Sequence, residues 1–577
     1  MTLDTPTPPQ LPEDASFLIA ECGTAFTAVS LIDQAIGTYR LIGRSTVPTT
    51  IISPWLDVME GVQQGIRRVT QTTGRTLIGD SGRLIRPTRQ NGSGIDAFGA
   101  VVSAAEPVTI FLVGLFDDVS IASARRAIHT IYAREVGTIS LSDTRSESDQ
   151  VEAILQSQPD VILVVGGTDG GAEARLKQLI ETVSLGIHVL AEIKRPQVIY
   201  AGNRKLREYV QQKLGVYANV QVANNVRPSL ENENIGDTAR LLTEIYEDLK
   251  VSKLPGFQEL HDWSTLPVTT AVHAFKHTVE YFANLYQDAV LGIDLGSNQV
   301  TLIEANPDSC QLYINSQLGM GAPIENVLTA VSPEKIASYM PTEISSQQIT
   351  DTIYNKALTP HTIATTQTDI QLEQAIAKMI LQKAATKSGL GRREEGYRLV
   401  IARGATLTQT ARPGQALLTI LDALMPTGIF AVLLDKYNAL PALGAIARHH
   451  PLSVVQALNA GVLTDLGWVI APAGRAPFGQ KAVHVTMESE SSTRLEIEVG
   501  YGSLEILPLA PGHKATVTIK PEKRFDVGFG PGKSKKLALS GGAVGIVVDA
   551  RGRPLRYPAN PEKRQEIIRQ WLWDMGG

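Results

Sequence analysis

Cysteine is scarce in this chain. Cys22 and Cys310 are its two cysteines in 577 residues. Two cannot build a disulfide framework, and no CxxC or Cys/His cluster offers a structural metal site. A reducing, cytoplasmic setting is therefore expected. Long apolar runs are also lacking. None approaches the roughly 20 residues that span a bilayer, so no membrane partner is expected. The first residues, MTLDTPTPPQLPEDAS, hold neither the basic start nor the apolar stretch of a signal peptide. Nor is there an excess of positive charge. The formal net charge is -5, which argues against nucleic acid as a partner.

What is present suits a globular protein: 43% apolar and 19% charged residues. The length is too great for a single core. Residues 1–15 read as a disordered leader, rich in proline and acids. Residues 16–286 read as a first α/β domain. It opens with the strands FLIAE, FTAVSLID and YRLIGRSTVPTT, and the helix WLDVMEGVQQGIRRVTQTTG follows. From about residue 107 continuous apolar strands alternate with helices: VTIFLVGLF, then SIASARRAIHTIYARE; PDVILVVGGTDGG, then AEARLKQLIETV; PQVIYAGN, then RKLREYVQQKLG. That alternation predicts a buried parallel sheet.

Residues 287–470 read as a second α/β domain that opens like the first, with AVLGIDLGS, NQVTLIEA and CQLYINSQLG. The strand YRLVIARGATLT comes later. Residues 471–577 change texture to short alternating strands between Gly and Pro, a β-rich domain. A helix closes the chain. Asn560 caps it, Pro561 takes its first position, and Ile567, Ile568, Trp571, Leu572 and Met575 form one stripe.

Chemistry concentrates in two matched hairpins. VLGIDLGSNQV and FLIAECGTAFTAV align Gly296 with Gly23, Asp294 with Glu21 and Ser297 with Thr24. A Gly turn lets backbone N–H groups approach phosphate oxygens. Small hydroxyls add hydrogen bonds, and a carboxylate at each strand end can hold a hydrated Mg²⁺ or orient water. One such hairpin alone is more simply a strand turn with an edge acid; two opening matched halves favour a nucleotide site. VVGGTDGGAEARL places Gly166, Gly167, Thr168, Asp169, Gly170 and Gly171 before a helix. That loop can face an anion, or Asp169 can simply cap the helix. At RGATL, Gly404 permits close approach of an adenosine. LPALGAIA, residues 440–447, suits close helix packing. GFGPGKS imitates the end of a P-loop, but Val527 stands where its first Gly belongs and a strand follows. A basic turn is expected there.

Together these features resemble the superfamily of actin, heat-shock chaperone ATPases and sugar kinases. More closely, ECGTAFTAV, ILVVGGTDGG, PQVIYAGN, GIDLGSNQV and GGAVGIVVDARGRPL resemble the MutL-type accessory protein family of the adenosylcobalamin-dependent glutamate mutase system. The resemblance implies an actin-like (ribonuclease H-like) two-domain core with the β-rich C-terminal domain appended. It implies ATP and Mg²⁺ as cofactors and a chaperone or reactivating factor for a cobalamin-dependent mutase client, with self-association compatible. Asp294 and Glu21 would be the catalytic carboxylates and would hold Mg²⁺ through water. Gly23, Thr24, Gly296, Ser297 and Asn298 would contact phosphates, Gly166 to Gly171 would flank the nucleotide, and Gly404 would meet the adenosine.

Departures from the family pattern weaken catalysis. Glu21 replaces an Asp, Ala28 stands where a cation is usual, Gln299 and Val300 replace polar or acidic residues, and Arg403 precedes Gly404 in place of a glycine. At most a slow ATPase is expected. The alternative is a non-catalytic actin-like scaffold with a degenerate ATP site. A small-molecule kinase would need an acceptor base, and none is identified.

Overall fold

The protein is described from a computed structural model covering residues 11–490 and 493–576. Residues 1–10 of the expected leader lie outside the described residues. The end of that segment is held in place: the Tyr39 hydroxyl donates to the carbonyls of Glu13 and Ala15.

The chain forms two compact units. One holds the sequence up to Ala104, Pro255–Leu312 and everything from Leu318 onward; the other holds Ala105–Leu254 and Tyr313–Gln317. The class is mixed α/β with several sheets.

The larger unit begins with β1 (Phe17–Cys22), β2 (Phe26–Ala35), β3 (Thr38–Pro48) and β4 (Ala97–Val102). All six residues of β1 and of β4 are buried, which is why they read as unbroken apolar runs. β4 was not anticipated, because AFGAVV follows a turn-rich stretch without periodicity of its own.

The smaller unit holds β5 (Val108–Val113), β6 (Ala133–Ile139), β7 (Val161–Gly166), β8 (Gln197–Gly202) and β9 (Val220–Val222). They form a parallel sheet in the order β6-β5-β7-β8-β9, of which the alternation predicted β5, β7 and β8. Helices cover both faces. Ala122–Ile128 packs on Gly236–Tyr246, while Ala174–Val189 packs on Glu147–Ser157 and Arg207–Leu214. The helix expected through SIASARRAIHTIYARE is shorter than its periodicity suggested. It ends at Ile128, and Ala133 already begins β6, because pairing beside β5 outweighs the local helical pattern.

The chain then returns to the larger unit. β10 (Thr269–Thr270) completes the first sheet, in the order β10-β4-β1-β2-β3. Next come β11 (Val290–Leu295), β12 (Val300–Asn306), β13 (Ser309–Asn315, whose last three residues are counted with the smaller unit), β14 (Leu399–Arg403), β15 (Gly428–Leu434) and β16 (Thr464–Ala471). They are followed by β17 (Lys481–Ser489), β18 (Arg494–Gly500), β19 (Leu504–Leu507), β20 (Lys514–Pro521), β21 (Lys535–Ser540) and β22 (Gly545–Asp549). The second large sheet runs β13-β12-β11-β14-β15-β16-β22-β19.

The internal repeat is visible in these orders. In each sheet the first strand lies antiparallel to the second and parallel to the fourth, and the fourth lies parallel to the fifth. Both sheets share one core. Phe17, Ile19 and Val101 from the first meet Val290, Ile303 and Ile401 from the second, with Phe275 and Val279 of helix Ala271–Tyr286 and Leu443 of helix Leu440–Ile446 among them. The two helices cross closely, since a Cβ on Gly444 would stand 1.9 Å from the Ala274 carbonyl oxygen.

The C-terminal segment is β-rich as read, but it feeds two sheets. β18-β17-β20-β21 form a sheet of their own, whereas β22 pairs with β16 and β19 with β22. The closing helix, Pro561–Asp574, is capped by Asn560, whose side chain accepts the Lys563 N–H. It buries Ile568, Trp571 and the adjoining Met575.

Candidate functional site

The two hairpins have the same construction. In β1 and in β11 the carboxylate is the next-to-last strand residue, Glu21 and Asp294. The Gly23 N–H donates to the Phe26 carbonyl at 2.9 Å, and the Gly296 N–H donates to the Gln299 carbonyl at 3.0 Å. A Cβ on Gly23 would lie 2.8 Å from Phe26 O, and one on Gly296 would lie 3.1 Å from Gln299 O. The first turn therefore needs a residue without a side chain, and the second is tight for one. Thr24 is half-buried in the first turn, as are Ser297 and Asn298 in the second. The second turn is also clasped by a segment not singled out from sequence. Gly321 N–H donates to the Ser297 carbonyl at 2.7 Å, and Cβ atoms on Gly319 or Gly321 would overlap Ser297.

Arg403 joins the two hairpins. It ends β14, directly beside Asp294 in the parallel ladder. Its Nη1 donates to Asp294 Oδ2 at 3.0 Å, and its Nη2 to Glu21 Oε1 at 2.7 Å. Asn438 closes the ring: Arg403 Nε donates to its Oδ1 at 2.8 Å, and its Nδ2 donates to Glu21 Oε2 at 2.7 Å. The guanidinium lies over the Phe275 ring. All three charged side chains are buried, Arg403 to 5% exposure, Glu21 to 10% and Asp294 to 11%. Nearby, Asp435 accepts the N–H groups of Ala439 and Leu440 and so starts helix Leu440–Ile446.

Charge in this site is tightly coupled. Burial opposes the Arg403 charge, but Asp294, Glu21 and Asp435 outweigh it and hold the guanidinium firmly protonated, above its ordinary range. Burial pushes the Asp294 carboxyl upward against the pull of Arg403, and the Glu21 charge pushes it the same way. Burial likewise raises Asp435. Thr301 stands opposite Asp294 in the β11–β12 ladder. It is fully buried, and its hydroxyl has no hydrogen-bond partner.

The magnesium ion implied by the resemblance does not fit this arrangement. A hard dication needs several carboxylate or water oxygens turned toward it. Here both oxygens of Glu21 and Oδ2 of Asp294 already accept hydrogen bonds. The donor to two of them is itself a cation.

The other expected site residues divide as follows. Gly404 belongs to the same unit, and its conformation has a backbone cause. Its φ is +110° and a Cβ would lie 2.2 Å from Leu295 O, so the chain after β14 passes tight against the end of β11. Gly166, Gly167, Thr168, Asp169, Gly170 and Gly171 lie in the smaller unit. There Asp169 Oδ1 accepts from Arg204 N and Asn225 Nδ2, and buried Asn203 accepts the Gly170 N–H and donates to the Gly171 carbonyl. The P-loop imitation is a turn whose backbone is already occupied: Asp526 Oδ1 accepts the N–H groups of Gly528, Phe529 and Gly530. Sequence reading noted Arg403 only as a departure and passed over Asn438. Neither has a local signal, since Arg403 lies 109 residues from Asp294 and 382 from Glu21.

Comparison with known proteins agrees with the resemblance. Protein MutL of Clostridium tetanomorphum is 26% identical over 236 residues, 40% of this chain and 44% of that protein. The match thus spans less than half of that relative's length. Among solved structures, nucleotide-free acetone carboxylase covers 84% of this chain and 81% of its own, at 10% identity and TM-score 0.34. A glycerol dehydratase reactivase covers 76% of this chain and 100% of its own, at 9% identity and TM-score 0.30. Such scores leave the fold to be argued from this chain's own topology. The family model described as MutL protein matches residues 17–461, most of the chain, and the protein belongs to that family.

Proposed function

We propose that this protein is an ATP-binding, actin-like chaperone or reactivating factor whose client is an adenosylcobalamin-dependent mutase. The observation that carries the reading is the pair of equivalent hairpins. They open two sheets whose first five strands share one order, carry their carboxylates at matching positions, and meet within one compact unit. Gly23, Thr24, Gly296, Ser297 and Asn298 would hold phosphates through turn N–H groups and hydroxyls, with Gly404 on the adenosine side. Family membership supports the mutase client, through the resemblance of the hairpin motifs to the glutamate mutase accessory proteins.

Nucleotide acts here as a conformational ligand. It can shift the protein only if it binds one form more tightly than another. Excess ATP should raise the melting temperature, and ATP with this protein should restore an inactivated cobalamin-dependent mutase. No melting shift with any adenine nucleotide and no recovery of the mutase would defeat the proposal.

A second reading, a non-catalytic scaffold, is favoured by one observation: Arg403 binds both carboxylates that would orient water. Phosphate release separates the two. Steady turnover excludes the scaffold, while nucleotide binding without turnover supports it.

A further inference from the structure

Arg403 stands at one of two equivalent positions, yet it serves both hairpins. Asp294 neighbours Arg403 on β14, while Glu21, at the matching place in the first sheet, neighbours Val101 on β4. One guanidinium from the second sheet thus supplies the hydrogen-bonded cation for both carboxylates, while Arg44 of the first sheet acts on Glu21 only through its charge. It lies where a bridging metal would have to sit, with an N–H on an oxygen of each acid at 2.7 and 3.0 Å. Asn438 takes the second Glu21 oxygen. The cation that Ala28 fails to provide in the first hairpin is supplied from elsewhere in the chain.

Two physical consequences follow. A dication brought within about 4 Å of a buried guanidinium is strongly repelled, because the low local dielectric screens little. It would also have to displace hydrogen bonds that Arg403 and Asn438 already make to buried carboxylate oxygens. Meanwhile the fully buried Thr301 hydroxyl, opposite Asp294, is left without a partner. Residues directly opposite in an antiparallel pair share a face, so this hydroxyl lies on the same face of the ladder as Asp294, closed off from solvent.

We infer that Arg403 is the resident cation of this site, standing where a divalent metal would bridge Glu21 and Asp294, and that the site takes its ligand without Mg²⁺. The nucleotide identity of that ligand rests on the function proposed above; the exclusion of the metal does not.

Manganese, a paramagnetic stand-in for magnesium, tests the metal directly. The full-length protein is titrated with Mn²⁺ and free ion is followed by electron paramagnetic resonance. Wild type should show no binding that Asp294→Asn removes. Arg403→Gln, or Arg403→Met if the first variant folds poorly, frees the carboxylates and removes the cation hydrogen-bonded to both, leaving only the Arg44 charge, which acts on Glu21 without an ion pair. The variant should gain one Mn²⁺ with affinity raised at least about tenfold, and adding Asp294→Asn should abolish the gain. Mn²⁺ binding by wild type that Asp294→Asn abolishes would overturn the inference, and so would a folded Arg403 variant that gains no Mn²⁺. In a second arm, the ATP melting shift of wild type is measured in Mg²⁺ and in EDTA. Equal shifts support metal-free binding, and loss of the shift in EDTA overturns it. No shift in either buffer defeats the nucleotide reading, while the manganese arm still decides the role of Arg403.

Discussion

Removing Arg403 should harm this protein more than removing either of its partners. Arg403→Ala leaves two buried carboxylates without the cation hydrogen-bonded to both, and the Arg44 charge, which acts on Glu21 without an ion pair, compensates little. Breaking a buried pair in this way costs about 3–5 kcal/mol, read as a lower urea midpoint at unchanged slope. Adding Glu21→Gln to that variant should restore part of the loss, because one uncompensated charge disappears. A second residue-scale effect concerns His273, on helix Ala271–Tyr286. Burial, aided by the charges of Lys276, His277 and Arg448, keeps its imidazole neutral down to about pH 4, against an ordinary value of 6.5. Between those values the unfolded chain binds a proton that the fold refuses. Stability is complete above pH 6.5 and falls as pH drops toward 4, by up to about 3 kcal/mol. His277 is lowered to about 4 as well and acts in the same direction. Urea unfolding across this range should show the loss, and His273→Phe, if it folds, should flatten the slope.

At the scale of elements, the close crossing of helices Ala271–Tyr286 and Leu440–Ile446 depends on Gly444. LPALGAIA was read as a packing helix, and Gly444 does lie against the Ala274 backbone. Gly444→Val places carbon where a carbonyl oxygen stands, so the helices must separate. Overpacking of this kind costs about 1–3 kcal/mol or more, and a fall of several degrees in melting temperature is expected. An unchanged melting temperature would show that the crossing is softer than its geometry. The hairpins were legible at this scale because strand, turn and acid are neighbours in sequence. Helix Ala122–Ile128 was misjudged in length because the start of β6 is decided by its pairing with β5, which lies outside the local window.

At the scale of the molecule, the C-terminal segment is tied into the second large sheet. Besides the β16–β22 pairing, Arg551 is fully buried and donates to Asp549 and to Asp422, and Lys378 donates to the same Asp422 at 2.9 Å. Ending the chain near residue 470 would strip β16 of a neighbour, uncover Trp468 and Ile470, and leave Asp422 and Lys378 without Arg551. An exposed apolar edge strand invites aggregation. The truncated protein should be insoluble or unfold at markedly lower temperature. A soluble truncation that melts like the full chain would make the segment a removable module instead.

The amino-acid order alone carried β5, β7 and β8 of the parallel sheet, though not β6 or β9, together with the paired hairpins and the positions of Glu21 and Asp294, because burial and turn chemistry leave their mark within a few neighbouring residues. It carried the family for the same reason, through short motifs. Which cation serves the two acids, and whether the strands after residue 471 stand apart or complete an earlier sheet, depended on contacts between distant parts of the chain. Arg403 meets Glu21 across 382 positions. No local periodicity can encode an ion pair of that span; only the packing of two sheets around one core brings its members together.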